Sequence, residues 1–141
     1  MKYALIGCGR IAVNHIKAAV NNRLELAAVC DIKPEAMESL LAKFNLESDA
    51  SIHRYTDYRE LLRTEKPVLA SIATESGIHA EIALACIDAG VNVIIEKPMA
   101  MSMADAEEII CRSEEKGVKV SACHQNRFNI AVQETRRAME E

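Results

Sequence analysis

Short apolar runs alternate with longer amphipathic stretches along most of the chain. Six of the apolar runs have the length of buried strands: Tyr3–Ile6, Leu24–Cys30, Ile52–Tyr55, Val68–Ala73, Val91–Ile95 and Val118–Cys123. The five stretches between them carry apolar residues at helical spacing. Because such alternation is typical of βαβ units, the pattern predicts a parallel sheet covered by helices.

Residues at the helix boundaries support this prediction. Pro34 suits the first turn of the second helix, and Asp57 suits the N-cap of the third. Ser102 with Asp105 resembles a capping box at the start of the fifth helix. Two glycines are placed to end helices in the left-handed conformation: Gly90 and Gly117.

Composition narrows the class of protein. The chain has 141 residues, half of them hydrophobic, and a net charge of −4 with dispersed basic residues, so no nucleic-acid or membrane partner is expected. No signal peptide or membrane span is apparent, and a cytoplasmic protein is expected. The histidines lie too far apart to indicate a metal site. All five cysteines are expected to be reduced, buried thiols: Cys8, Cys30, Cys86, Cys111 and Cys123.

The loop after the first strand has the pattern G-x-G-x-x-A, over Gly7-Cys8-Gly9-Arg10-Ile11-Ala12. Gly7 permits a tight turn, Gly9 removes the Cβ that would block a pyrophosphate, and Ala12 lets the next helix pack close to the sheet. The amides of Arg10 and Ile11 are natural phosphate donors at that helix N-terminus. A glycine pair alone is more often a plain turn, but a strand before it and a helix after it favour dinucleotide binding.

Asp31 ends the second strand, about 20 residues beyond the loop, where a carboxylate accepts hydrogen bonds from the adenosine ribose. Its charge would repel a 2′-phosphate and favours NAD over NADP, although Lys33 nearby softens the preference. The alternative is a simple helix-entry residue before Pro34. Together these features predict an α/β fold with a Rossmann-type doubly wound parallel sheet in three αβα layers, its dinucleotide-binding domain spanning residues 1–123.

The segment Ile95–Ala100 strongly resembles the Glu-Lys-Pro signature of the glucose–fructose oxidoreductase/inositol dehydrogenase family, often called Gfo/Idh/MocA. The resemblance covers the whole chain, because other family features stand in order: the glycine loop, Asp31, Ala73-Thr74 followed by His79, and Asn126-Arg127-Phe128. It implies that residues 124–141, with a helix over Ile130–Glu140, lead to an absent C-terminal substrate domain. That domain would supply the general acid/base, so this chain should bind cofactor without turning over.

The resemblance also assigns roles around the signature. Lys97 would lie beside the nicotinamide of the bound cofactor. It would also orient a substrate hydroxyl and favour the charge that develops on its oxygen during hydride transfer. Glu96 would hold the nicotinamide-side ribose, and the Lys97–Pro98 bond would be cis. The alternative for Lys97 is a solvated lysine at a strand end.

Further contacts are implied for Thr74 and His79, beside the dinucleotide. Here the chain departs from the family, which often has Thr-Pro where this sequence has Thr74-Glu75. His79 has a structural alternative as a plain helix-start residue. Two other histidines are expected to be structural: His15 and His53.

Asn126 and Arg127 follow the sixth strand, on the carboxyl-end side of the sheet where ligands bind in such folds. They would contact the nicotinamide end or an anionic substrate, and Arg127 has a salt bridge at a helix start as its alternative. His124 ends the sixth strand and is not expected to be the acid/base.

The sequence thus predicts the NAD-binding half of an oxidoreductase acting on a hydroxyl-bearing carbon of a sugar, polyol or nucleotide sugar. The segments Ala73–His79 and His124–Asn129 most resemble family members that act on UDP-N-acetyl amino sugars or their uronates. The alternative is a non-catalytic NAD-binding sensor or regulatory module, which would have no need of Lys97. A different dehydrogenase class with the same nucleotide domain would lack the Glu-Lys-Pro signature. Family members often associate through the second domain, so a homo-oligomeric parent is expected.

Overall fold

The computed structural model describes residues 1–140, in which six strands form one parallel sheet of order β3-β2-β1-β4-β5-β6. The strands are β1 (Lys2–Ile6), β2 (Glu25–Cys30), β3 (His53–Tyr55), β4 (Leu69–Ile72), β5 (Asn92–Ile95) and β6 (Val120–Ala122). This order is that of the doubly wound dinucleotide fold, so the predicted fold class is confirmed.

Six helices accompany the sheet: α1 (Ala12–Asn21), α2 (Pro34–Ala42), α3 (Tyr58–Glu65), α4 (His79–Asp88), α5 (Met103–Lys116) and α6 (Ile130–Glu140). The predicted N-caps are present, since Asp57 accepts a hydrogen bond from the Arg59 amide at 2.8 Å and Ser102 accepts one from the Asp105 amide at 3.1 Å. Short 3₁₀ turns precede α4 and α6. None of the helices in residues 1–140 combines the length and apolar character needed to cross a membrane.

The core consists of one apolar layer on each face of the sheet. Alternate residues of β1 divide between them, with Leu5 facing α1 and α2 and Ile6 facing α3, α4 and α5. The first layer is centred on Ile16 and Leu41, and the second contains Ile82. Burial on both faces explains why the central strands are continuously apolar.

Two of the five cysteines correct the expectation of buried thiols. Cys8, Cys30 and Cys86 are buried, but Cys111 is exposed and Cys123 is half-buried. Cys111 lies on the solvent side of the amphipathic helix α5, and Cys123 follows an edge strand, so neither position is covered on all sides.

A buried carboxylate joins three elements. Glu65 of α3 contacts Lys2 Nζ at 2.8 Å and His53 Nδ1 at 2.6 Å, and it accepts a hydrogen bond from the Tyr55 hydroxyl. Burial raises the pKa of Glu65, but the hydrogen bonds from Lys2, Tyr55 and His53 outweigh it and bring the pKa to about 2. His53 therefore has the structural place that the sequence predicts.

Candidate active site

A cleft of about 640 Å³ opens at the carboxyl ends of the first four strands. β1 and β4 are neighbours there, while the helices that follow them pack on opposite faces, which makes this the topological switch point where doubly wound folds bind ligands. Six of the predicted site residues line the cleft: Gly7, Gly9, Arg10, Ile11, Asp31 and Thr74.

The two loop glycines serve different geometric needs. Gly7 has φ +95°, and a Cβ there would lie 2.5–2.6 Å from backbone atoms of Ala73 and Thr74. A Cβ on Gly9 would meet no atom within 4 Å. Gly7 therefore lets the loop contact the end of β4, whereas the space over Gly9 remains open to a ligand.

The loop presents unused backbone donors. Within residues 1–140 the amides of Gly9, Arg10 and Ile11 form no hydrogen bond, and α1 has no acidic side chain in its first turn. Free amides beside the positive end of a helix dipole attract a phosphate. Ala12 is fully buried beneath the loop, so it serves the close helix packing predicted for it.

Asp31 ties the loop to the end of β2. Its Oδ2 accepts a hydrogen bond from the Cys8 amide at 2.8 Å, and its Oδ1 accepts one from the Lys33 amide at 2.9 Å. Each carboxylate oxygen can accept a further hydrogen bond, and the side chain is partly exposed on the cleft. The open space over Gly9, the free amides and this carboxylate fit a dinucleotide.

Sequence reasoning did not assign the other lining residues to the site, among them Thr56, Tyr58 and Ile78. Thr56 comes directly after β3, whose last carbonyl, that of Tyr55, accepts a hydrogen bond from the Asp31 amide at 3.1 Å. The sequence position of Thr56 could have indicated this, because the carboxyl ends of adjacent parallel strands lie at the same edge of the sheet.

Glu75 occupies the position where the family often has proline, and it also lines the cleft. Its φ is −69°, within the range that proline adopts, and its amide donates no hydrogen bond within residues 1–140. The departure from the family therefore preserves the backbone path and adds a negative charge at the rim.

A second cavity, of about 430 Å³, lies where β5 and β6 end. It is lined by Lys97, His124, Gln125, Asn126, Arg127 and Val132. Lys97 is exposed, and neither it nor Arg127 forms an ion pair in the part of the chain that the structure describes. The salt-bridge alternative for Arg127 is thus not seen. The Lys97–Pro98 bond is cis, as the resemblance implied.

Glu96 points away from solvent. Its Oε1 lies 3.1 Å from Nε2 of His15 on α1, and its Oε2 accepts a hydrogen bond from the Lys97 amide at 3.3 Å. Burial first, and then the negative charge of Glu96, raise the pKa of Cys123 beside it. His15 has the structural place that the sequence predicts, and the contact of Glu96 with a ribose stays a prediction.

His79 lies beneath the cleft wall and is only 1% exposed. Its Nδ1 is 2.7 Å from the Pro98 carbonyl oxygen, and its Nε2 is 3.1 Å from that of Thr74. Because both ring nitrogens face protein acceptors, this arrangement offers none to a cofactor. The geometry favours the structural alternative for His79.

Comparison with known proteins places these features in one family. Residues 1–124 match the family model described as the oxidoreductase family with an NAD-binding Rossmann fold. The chain is 32% identical over 130 residues to 4-carboxy-2-hydroxymuconate-6-semialdehyde dehydrogenase of a Sphingobium species, covering 92% of this chain and 40% of that protein. It is 28% identical over 122 residues to inositol 2-dehydrogenase of Salmonella typhimurium, covering 85% of this chain and 35% of that one.

Comparison with solved structures supports the same family. The WlbA dehydrogenase of Bordetella pertussis, crystallised with NADH and UDP-GlcNAcA, superposes with a TM-score of 0.87 at 32% identity, covering 99% of this chain and 42% of that one. The chain thus spans about two fifths of the length of the relatives it matches. With the family model, the sheet order, the glycine loop and the Glu-Lys-Pro turn in agreement, the chain belongs to the Gfo/Idh/MocA oxidoreductase family and is its NAD-binding domain.

Proposed function

We propose that this chain is the cofactor half of a dehydrogenase that moves hydride between NAD and a hydroxyl-bearing carbon of a sugar, polyol or nucleotide sugar. The observation that carries the proposal is the placement of an exposed, unpaired Lys97 at the same edge of the sheet as the dinucleotide cleft. NAD, when bound, supplies the hydride acceptor at C4 of its nicotinamide.

The chain's own residues divide the work of binding. The amides after Gly9 would hold the pyrophosphate, and Asp31 would hold the adenosine ribose and disfavour a 2′-phosphate. Thr74 would border the dinucleotide, and Glu96 would reach the nicotinamide-side ribose with the lone pairs that His15 leaves unused.

Lys97 would act on the substrate. Its ammonium donates a hydrogen bond to the substrate hydroxyl and stabilises the negative charge that develops on that oxygen as hydride leaves the carbon. The proton acceptor would come from a second domain beyond these residues, so the chain by itself would bind cofactor without turnover.

The charge of the second cavity bears on the substrate. Among residues 1–140, the charged side chains of its lining are Lys97 and Arg127, with His124 between them in sequence, and none of the lining side chains is a carboxylate. Such a lining favours a substrate with a carboxylate or phosphate group. This supports a UDP-N-acetyl amino sugar or its uronate, bound partly by Asn126 and Arg127, and the WlbA neighbour, whose crystals contain UDP-GlcNAcA, gives it modest support.

The domain arrangement is also a proposal. Residues 1–123 would form the dinucleotide domain, and 124–141 would lead into a substrate domain through which the parent forms a homo-oligomer. In support, α6 buries none of its residues and exposes Ile130, Val132 and Met139.

A cytoplasmic location is proposed because all five cysteines are free. The alternative of a non-catalytic NAD sensor gains no support, since the named relatives are dehydrogenases.

Calorimetric titration with NADH and NADPH tests the cofactor part of the proposal. We expect NADH to bind more tightly and Asp31→Ala to erode that preference, while Glu107→Ala, an exposed carboxylate on α5, changes neither. A folded chain that binds neither nucleotide would contradict the proposal.

A further inference from the structure

The turn that carries Lys97 is held at both ends by buried histidines. On one side, the Glu96 carboxylate lies 3.1 Å from Nε2 of His15, whose exposed fraction is 8%. On the other side, the Pro98 carbonyl oxygen lies 2.7 Å from Nδ1 of His79. Lys97 itself is exposed between these two attachments.

We propose that His15 and His79 are positioning residues that fix the Lys97 turn relative to the bound dinucleotide. The inference rests on the proposed function, because Lys97 can need such a position only if a nicotinamide lies beside it. This role requires no contact between either histidine and the cofactor or the substrate.

Each histidine connects the turn to an element of the dinucleotide cleft. His15 lies on α1, one turn after the glycine loop, so its bond to Glu96 joins the proposed phosphate-binding helix to the end of β5. His79 begins α4, and its Nε2 is 3.1 Å from the carbonyl oxygen of Thr74, which lines the cleft. The two side chains thus make two independent links between cofactor site and Lys97.

Burial makes these links firm. A hydrogen bond shielded from water is stronger than an exposed one, and a buried polar group left without a partner is costly. The side chains of His15, Glu96 and His79 are nearly excluded from solvent. A small displacement of a catalytic group is enough to weaken its action. Because Lys97 is exposed, the two buried hydrogen-bonded contacts beside it are what hold its backbone in place.

Amide substitutions separate positioning from plain structural support. The side-chain nitrogen of asparagine occupies the place of histidine Nδ1, and that of glutamine occupies the place of Nε2. His79→Asn therefore places a donor at the Pro98 carbonyl oxygen, whereas His79→Gln places one at the Thr74 carbonyl oxygen. For His15 the order is reversed, since His15→Gln keeps the donor to Glu96 and His15→Asn loses it.

The test compares NADH with ADP, which lacks both the nicotinamide and the ribose that Glu96 would hold, by calorimetry on the full chain and these four variants. We expect His79→Gln and His15→Asn to weaken NADH binding by about threefold to tenfold, the worth of one hydrogen bond, and to leave ADP binding unchanged. His79→Asn and His15→Gln should retain most of the NADH affinity. His53→Asn, a histidine bound to Glu65 away from both cavities, is the matched control and should change neither.

Three outcomes would overturn the inference. Equal losses for NADH and ADP in all four variants would make the histidines ordinary structural residues. Equal binding of both ligands by the wild-type chain would show that the nicotinamide half gains nothing from the turn. If the Asn and Gln variants at each site behave alike, the hydrogen bonds do not position the turn. A wild-type chain that binds neither ligand contradicts the proposed function instead. If thermal unfolding shows that His79→Gln does not fold, the comparison of His15→Asn with His15→Gln tests the inference.

Discussion

The two glycines of the phosphate loop have opposite surroundings, which match the different roles that their motif assigns to them. Gly7 sits against the backbone of Ala73 and Thr74 in a positive-φ conformation, whereas Gly9 borders empty space. The first glycine is therefore required by the fold, and the second is available for a ligand.

Alanine substitutions should separate these roles. We expect Gly9→Ala to leave the melting temperature nearly unchanged and to abolish detectable NADH binding, because the new Cβ occupies the space for the pyrophosphate. Gly7→Ala should destabilise the chain by more than about 2 kcal/mol, because its Cβ meets fixed backbone at positive φ. Thermal unfolding with NADH calorimetry measures both effects. Gly77→Ala, which also meets no neighbouring atom, is the control, and an unaltered NADH affinity in Gly9→Ala would contradict the loop assignment.

Glu75 offers a second test at the residue scale. Its φ of −69° and its unused amide mean that proline fits without losing a hydrogen bond. We expect Glu75→Pro to raise the free energy of unfolding by about 0.5–1 kcal/mol, because proline restricts the unfolded chain. Chemical denaturation measures the change, and Glu75→Ala controls for the lost charge. A less stable Glu75→Pro variant would show that the turn depends on the glutamate.

The sequence identified the glycine loop, Asp31 and Thr74 in the dinucleotide cleft because these residues act where the chain places them. It could not identify the partners of His15 and His79. Those partners, Glu96 and Pro98, are distant in sequence and come together only through the sheet order. Local patterns reveal residue types at strand ends, but not which buried side chains meet behind them.

At the scale of elements, three of the predicted strands begin one or two residues early for a common physical reason. The amides of Leu24, Val91 and Val118 donate to carbonyls of the preceding helix at 2.9–3.0 Å, so these residues close a helix instead of extending a strand. The pattern of apolar residues does not distinguish a residue that closes a helix from one that begins a strand. At Leu24 the closure follows Arg23, whose φ of +55° is not one that a sequence signals.

The Glu65 cluster makes the stability of the sheet dependent on pH. The pKa of Glu65 is lowered from an ordinary value of 4.5 to about 2, so its contribution is complete above the unfolded-state pKa and is lost as pH falls towards 2. We expect Glu65→Gln to remove on the order of 2 kcal/mol at pH 7 and to flatten the decline of stability between about pH 5 and pH 2. Urea denaturation at several pH values in this range measures the free energy of unfolding of both proteins. Glu107→Gln should follow the wild-type curve, and a Glu65→Gln curve with the wild-type slope would refute the assignment.

At the scale of the whole molecule, α6 differs from the other helices. It buries none of its residues, and the turn before it exposes Phe128 at 81% of its surface. The apolar residues that α6 exposes include Ile130, Val132 and Met139, which favours a partner outside the described core.

Hydrogen exchange should show the difference directly. We expect amides of α6 to exchange at nearly unfolded rates, while those of α4, which buries Ile82, Cys86 and Ile87, exchange only on global opening. Mass-spectrometric exchange on the full chain resolves the two segments, with α5 as an internal reference. Equal protection of α6 and α4 would mean that α6 packs against a surface in this chain, for instance in a second copy.

The order of the sheet also affects how the protein is made. β1 lies between β2 and β4, yet β4 is synthesised only after α2, β3 and α3 have followed β2. Until residues 69–72 leave the ribosome, the nascent sheet therefore has an open apolar edge along β1, which is a template for association with other chains. The time that the ribosome takes to translate residues 31–68 therefore sets how long β1 lacks its second neighbour in the sheet.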